Sequence, residues 1–152
     1  MTPQTRLTID LSVLKRNYLK LQAHVGASCA VAGVVKANAY GLGVENIVPA
    51  LESVGCPIYF TATPHEALQV RELTQKPIAA LNTLLEEETC RVFEEHNIMP
   101  VLNSIEDVQV WHNWCASRTV KPAALLQFDT GMRRVGLSYD NVKYLSEHPL
   151  LL

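Results

Sequence analysis

Two stretches of this 152-residue chain combine residue types that could do chemistry. The first is Val34-Val35-Lys36-Ala37-Asn38-Ala39-Tyr40-Gly41-Leu42-Gly43. It places a primary amine where an apolar run gives way to a loop, and α/β proteins build their sites beyond the carboxyl ends of strands. Apolar surroundings disfavour an ammonium ion, so such an amine is lowered in pKa and becomes nucleophilic toward an aldehyde. Tyr40 follows four positions later, in a turn with Gly41 and Gly43. Its hydroxyl could donate to a phosphate oxygen while the glycines let backbone approach it. On residue type alone, a strand-end lysine reaching out to solvent is the commoner case.

The second stretch is Gln127-Phe128-Asp129-Thr130-Gly131-Met132-Arg133-Arg134-Val135-Gly136. Two adjacent arginines in a glycine-bounded loop could hold a carboxylate or a phenolate oxygen through their guanidinium donors. An ordinary surface loop with solvated arginines fits the residue types equally well. The four cysteines, Cys29, Cys56, Cys90 and Cys115, and the histidines are scattered without zinc-ligand spacing, so no metal is expected.

Both stretches need elements to hold them, and the chain supplies an alternation. Cap-type residues Asp10 and Ser12 open a helix over residues 10–25, with Leu11, Leu14, Tyr18, Leu21 and Val25 on one stripe. Residues 30–35 form a small, apolar, β-branched run suited to a buried strand. Residues 46–54 read as a helix stopped by Gly55, with Pro49 expected in its first turn. Residues 58–62 read as the next strand. Thr63, Pro64 and Glu66 give the cap, first and third positions of a helix.

Further strands are expected over residues 77–81, 98–102 and 123–128. Helices are expected over 85–96, over 104–115 with Ser104 as cap, and from Ser138 onward. Pro149-Leu150-Leu151-Leu152 reads as the opening of a sixth strand. Strands alternating with helices imply a parallel sheet with right-handed crossovers. Two architectures remain open, a doubly wound sheet and part of a β/α barrel. A complete eight-unit barrel takes about 250 residues, so only five to six units would be present.

Bulk composition excludes some partners. With 13 basic and 15 acidic residues the net charge is −2, which gives neither nucleic acid nor an anionic membrane a basic face to bind. No apolar run approaches the roughly 20 residues needed to span a bilayer. The start, Met1 to Thr8, is short and polar, without the apolar core of a secretory signal, and points to the cytoplasm.

Together the two stretches resemble the alanine racemases. That family carries Lys-Ala-Asn-Ala-Tyr-Gly at the end of its first barrel strand, here Lys36 to Gly41. It carries Asp-Thr-Gly-Met-x-Arg-x-Gly after its fifth, here Asp129 to Gly136. Ile9-Asp10-Leu11 followed by Asn17, and Glu66-Ala67 followed by Arg71, also sit where the family has similar residues. The resemblance implies an α/β fold made of parallel β/α units of a TIM-type barrel, incomplete here at about five to six of eight units. Residues 1–152 would be the amino-terminal portion of a pyridoxal 5'-phosphate-binding barrel, without the later barrel strands and the carboxyl-terminal β domain.

It further implies a cytoplasmic, homodimeric isomerase that interconverts L-alanine and D-alanine for peptidoglycan precursors. Lys36 would bind the cofactor aldehyde covalently and act as the base on one face of the substrate. Tyr40 would contact the cofactor phosphate. Arg134 would donate to the cofactor's phenolic oxygen and help hold the substrate carboxylate. The opposite-face tyrosine base would come from the carboxyl-terminal domain of a partner subunit. The chain departs from the family pattern in two places. Leu42 stands where a histidine is usual. Gln127 stands where a lysine carrying a carbamate is frequent, and its amide oxygen is expected to accept from Arg134. A non-catalytic pyridoxal-phosphate-binding module, and an interaction domain with an unused Lys36, are the alternative readings. Strand edges and inward apolar side chains left without partners imply that the chain associates with itself or with the missing sequence.

Overall fold

The computed structural model describes residue 5 and residues 7–151. Most of the polar start (residues 1–4 and 6), and Leu152 at the end of the expected sixth strand, lie outside them. Five parallel strands stand side by side in chain order: β1 (Gly33–Val34), β2 (Tyr59–Thr61), β3 (Ile78–Ala80), β4 (Ile98–Leu102) and β5 (Leu125–Leu126). That order decides between the two architectures. A doubly wound sheet reverses direction at a switch point and carries helices on both faces. Strict succession winds one way, so right-handed crossovers put every connecting helix on one face and leave the other to line an interior.

Burial follows this division. Gly33, Tyr59, Ile78 and Ile98 share one register row, and Tyr59, Ile78 and Ile98 are buried. A side chain at Gly33 would meet the Tyr59, Cys56 and Leu51 side chains at 3.0–3.2 Å, so glycine lets the helical layer close over β1 without those side chains shifting. The next row, Val34, Phe60, Ala79 and Met99, points to the opposite face. There Val34 is 46% exposed, and Phe60 and Met99 are half-buried, while the small Ala79 in mid-sheet is buried between its neighbours. This open concave face is the interior of an incomplete barrel.

The helices are α1 (Leu11–Val25), α2 (Lys36–Tyr40), α3 (Val44–Glu52), α4 (Pro64–Arg71), α5 (Glu87–Glu95), α6 (Ile105–Ala116) and α7 (Tyr139–Glu147). Cap chemistry starts most of them as expected. The Asp10 carboxylate accepts from the Ser12 and Val13 amides, and Thr63 Oγ1 accepts from the Glu66 amide. Ser104 with Asp107, and Ser138 with Asn141, form reciprocal capping boxes. Cys56, Cys90 and Cys115 are buried, while Cys29 is exposed. Burial, with Cys115 nearby, pushes the Cys90 thiol up to about 11, which keeps it protonated and unreactive near neutrality.

Four expectations need correction. Leu21 and Val25 are exposed; on α1 only Tyr18 is fully buried, its hydroxyl donating to the Val31 carbonyl at 2.8 Å. The stripe ends early because α1 packs mainly on α3 alone. Helix α3 begins at Val44, two residues before the expected start, because the Asn38 side-chain oxygen accepts from the Val44 amide at 2.8 Å. Pro49 therefore lies inside the helix and not in its first turn. Strand β1 pairs only at Gly33–Val34, since the chain turns out of the ladder after Val35. Residues Pro149–Leu151 form a 3₁₀ turn, not the opening of a strand. There the Leu151 amide bonds to the His148 carbonyl, and Leu151 is drawn onto the core beside α6.

One side of β1 and one side of β5 carry no strand partner among the described residues. Together with the concave face, these edges are templates for pairing. Light scattering on the purified 152-residue chain should therefore give a mass above that of the monomer. A monodisperse monomer at tens of micromolar would contradict this.

Candidate active site

Lys36 lies just beyond the last paired residue of β1, at the carboxyl end of the sheet, and is half-buried. The turn it opens is unusual. Ala37, Asn38 and Ala39 all adopt left-handed dihedrals (φ 51–53°, ψ 47–52°), Tyr40 has φ 54°, and Gly41 has φ 81°. Four successive non-glycine residues at positive φ are strained, each by about 1 kcal/mol or more. Such a run persists only where its surroundings over-determine it.

They do so here. The Ala39 amide bonds to the Val35 carbonyl at 2.9 Å, and the Asn38 carbonyl accepts from the Gly41 and Gly43 amides at 3.1 and 3.0 Å. The Asn38 side chain holds the first turn of α3 as above. The Ala37 amide donates to Glu66 Oε1 at 2.9 Å, and Glu66 Oε2 accepts from the Ala62 amide at 2.7 Å. The turn presents Tyr40 outward at 63% exposure, while Ala39 packs inside. A side chain at Gly41 would meet no atom within 4 Å, so the space beside Tyr40 is open.

Arg134 sits in the loop after β5, also at the carboxyl end, and is exposed. The loop closes on itself: the Leu137 amide donates to the Gln127 carbonyl at 2.7 Å and the Asp129 amide to the Leu137 carbonyl at 2.9 Å. Asp129 Oδ1 accepts from the Gly131 and Arg133 amides, both at 2.9 Å, which holds Arg133 at φ 54°. A Cβ at Gly136, where φ is 110°, would lie 3.0–3.2 Å from the Asp129 and Gln127 backbone and the Gln127 side chain. Gln127 does not bond to Arg134. Its amide nitrogen donates instead to the Val135 carbonyl at 3.3 Å, because the closed loop brings that carbonyl to it.

The amides of Arg133 and Gly131 hold the Asp129 carboxyl below its ordinary value of 3.8. A depressed folded-state pKa contributes stability above the unfolded value, which is lost as pH falls through the folded one. Protection of the Gly131 and Arg133 amides, relative to unstructured peptide at the same pH, should therefore persist to below the ordinary carboxylate value of 3.8 before it is lost. Loss of that protection between pH 7 and 5 would show that the carboxylate does not hold the loop.

The fold thus places Lys36, Tyr40 and Arg134 at one end of the sheet, with β1 and β5 at its two edges. Measured along four strand spacings the separation is roughly 19 Å, shortened by the curl of the sheet. No hydrogen bond or ion pair joins the three among the described residues. A cavity of about 540 Å³ lies elsewhere, between α5 and α6, lined by Cys90, Trp114 and Arg118. Sequence reasoning missed what Glu66 does. Arg71 belongs to the other end of the sheet, where its guanidinium donates to the Thr74, Lys76 and Asn97 carbonyls at 2.9–3.0 Å.

Comparison with known proteins is decisive on the family. The model of the alanine racemase N-terminal domain matches residues 9–150. The chain belongs to this family. It is 41% identical over 148 residues to the alanine racemase of Brucella suis, covering 96% of this chain and 37% of that protein. It is 42% identical to that of Acidiphilium cryptum, covering 96% and 40%. A crystal structure of alanine racemase from Bartonella henselae with covalently bound pyridoxal phosphate superposes with a TM-score of 0.87 at 36% identity. That match covers 94% of this chain and 40% of that one. The chain therefore spans about two-fifths of the length of these family members.

Proposed function

We propose that this chain is the cofactor-anchoring portion of a pyridoxal-phosphate-dependent racemase that interconverts L-alanine and D-alanine. The observation that carries the reading is Lys36, a half-buried residue at the carboxyl end of β1 that opens a strained turn. It stands in a chain 36% identical to a protein that binds this cofactor covalently.

The residues fit the group. An amine, a phenol and a guanidinium at one end of the sheet suit an aldehyde, a phosphate and a phenolic oxygen in turn. Tyr40 and Arg134 have no side-chain hydrogen bond to protein among the described residues, so their donors are available. The open space beside Gly41 leaves room for backbone to approach a phosphate. When bound, pyridoxal phosphate supplies a sink for the charge left at the substrate α-carbon.

Lys36 would hold the cofactor through its aldehyde, and its amine, once free of that bond, would take and return a proton at that carbon on its own face. Tyr40 would donate to the phosphate. Arg134 would donate to the phenolic oxygen and pair with the substrate carboxylate. Racemisation needs a proton donor on each face of the planar carbon, and the second is expected from a tyrosine of a partner subunit in a homodimer. Later barrel strands and a β domain would complete the longer protein. We place the activity in the cytoplasm, in the supply of D-alanine for peptidoglycan. No helix among the described residues is long and apolar enough to cross a membrane.

Deuterium exchange tests the reading. With pyridoxal phosphate in deuterium oxide, the protein should incorporate solvent deuterium at the α-carbon of L-alanine faster than the free cofactor does. Exchange no faster than with free cofactor would refute the catalytic reading and favour a module that only binds.

A further inference from the structure

We propose that Glu66 is a positioning residue for Lys36, an inference that rests on the function proposed above. Beyond Val35, β1 and β2 stop making the backbone bonds of their ladder. In their parallel ladder the Val35 amide donates to the Phe60 carbonyl at 2.8 Å. The same pattern, continued, would give an Ala62 amide bond to the Val35 carbonyl and an Ala37 amide bond to the Ala62 carbonyl. Neither forms. The Val35 carbonyl is taken by the Ala39 amide of the left-handed turn, and the Ala62 carbonyl by the Asn82 amide at 2.8 Å.

The two amides stranded by this exchange, Ala37 and Ala62, are the two that Glu66 accepts, one on each carboxylate oxygen. A single side chain from the first turn of α4 thus replaces both missing ladder bonds. It does so at the place where β1 leaves the sheet, and one of the amides is the first after Lys36. Charge-assisted bonds are the stronger kind. Without them the Ala37 amide has no acceptor in the turn, and the strained run loses the restraint nearest the amine.

A cap-only role for Glu66 predicts something different. Thr63 Oγ1 already accepts from the Glu66 amide, so the start of α4 is held by Thr63 as well. Thr63→Ala and Glu66→Ala should both lower the melting temperature. Only Glu66→Ala should alter the turn.

Four proteins separate the possibilities: the full chain, Thr63→Ala, Glu66→Ala, and Glu66→Gln as the conservative variant. Each is treated with pyridoxal phosphate, reduced with borohydride at timed intervals, and mapped for the labelled lysine. Amide exchange at Ala37 and Ala62 is followed in parallel without cofactor. We expect Glu66→Ala to slow labelling of Lys36 by roughly tenfold or more, as loss of a hydrogen bond to a charged group implies, and to unprotect both amides. Glu66→Gln, with one acceptor oxygen, should unprotect one amide and fall between. Thr63→Ala should label at the parental rate. If Glu66→Ala labels Lys36 at the parental rate with Ala37 still protected, the proposal is overturned. If the parent chain does not label at Lys36, the cofactor reading fails instead. Amide exchange then still decides whether Glu66 holds the turn.

Discussion

Replacing Lys36 with alanine should abolish covalent attachment of pyridoxal phosphate and remove α-proton exchange, with little change in stability. The amine is the one group in the turn that can condense with an aldehyde. It is also the proposed base on its face, so its loss removes anchor and proton carrier together. General base catalysis alone contributes typically 10²–10⁴-fold, and losing the anchor as well places the expected deficit at or beyond the upper end, about 10⁴-fold. Lys36→Arg should fare no better, because a guanidinium keeps its proton at any working pH and is not a nucleophile. The fold should tolerate both changes. Lys36 is half-buried and the turn is held through the backbones of Ala37, Asn38 and Ala39, so the melting free energy should move by within about 0.5 kcal/mol. Retention of the adduct in Lys36→Ala, read by absorbance and by mass, would remove the role from this residue.

The largest expected loss of stability is at Phe93. Its ring, on α5, is fully buried in the main core cluster. Phe93→Ala removes the burial of an aromatic side chain and leaves a cavity, a combination that costs about 3–5 kcal/mol. Domains of this size lose roughly 2–4 °C per kcal/mol, so the melting temperature should drop by about 10 °C or more. Much of a total stability of about 5–15 kcal/mol would be gone. Leu84→Ala supplies the contrast. Leu84 is also a large apolar residue but is 81% exposed, and its truncation should change stability little. Equal effects of the two substitutions in thermal denaturation would contradict this placement of the core.

Much of the fold was legible because its signals are local. Thr63-Pro64 with Glu66, Ser104 with Asp107, and Ser138 each satisfy amides within their own first turn, so cap chemistry alone marks those helix starts. Short β-branched and apolar runs mark the strands, and the alternation by itself puts Lys36 and Arg134 at carboxyl ends. The left-handed run from Ala37 to Tyr40 could not be read the same way. Local preference opposes that conformation for alanine and tyrosine, and what holds it includes a carboxylate 29 positions away. Asn38, which tolerates positive φ, between two alanines and ahead of Gly41 and Gly43, was the available hint. Gln127 was misjudged for a related reason. Its partner depends on how Gly136 and Asp129 close the loop, not on the spacing to Arg134. Leu21 and Val25 have the right helical phase for a core but face no neighbour, because α1 lies outside the strand–helix alternation.

The account turns on the nitrogen of Lys36. The direct measurement is to mix the purified chain with pyridoxal phosphate, reduce with borohydride, digest, and locate the pyridoxyl group by mass spectrometry. The predicted result is one dominant modified peptide containing Lys36, at cofactor concentrations that leave Lys15, Lys20 and Lys143 essentially unmodified. Labelling spread over the surface lysines with no preference for Lys36 would contradict the account.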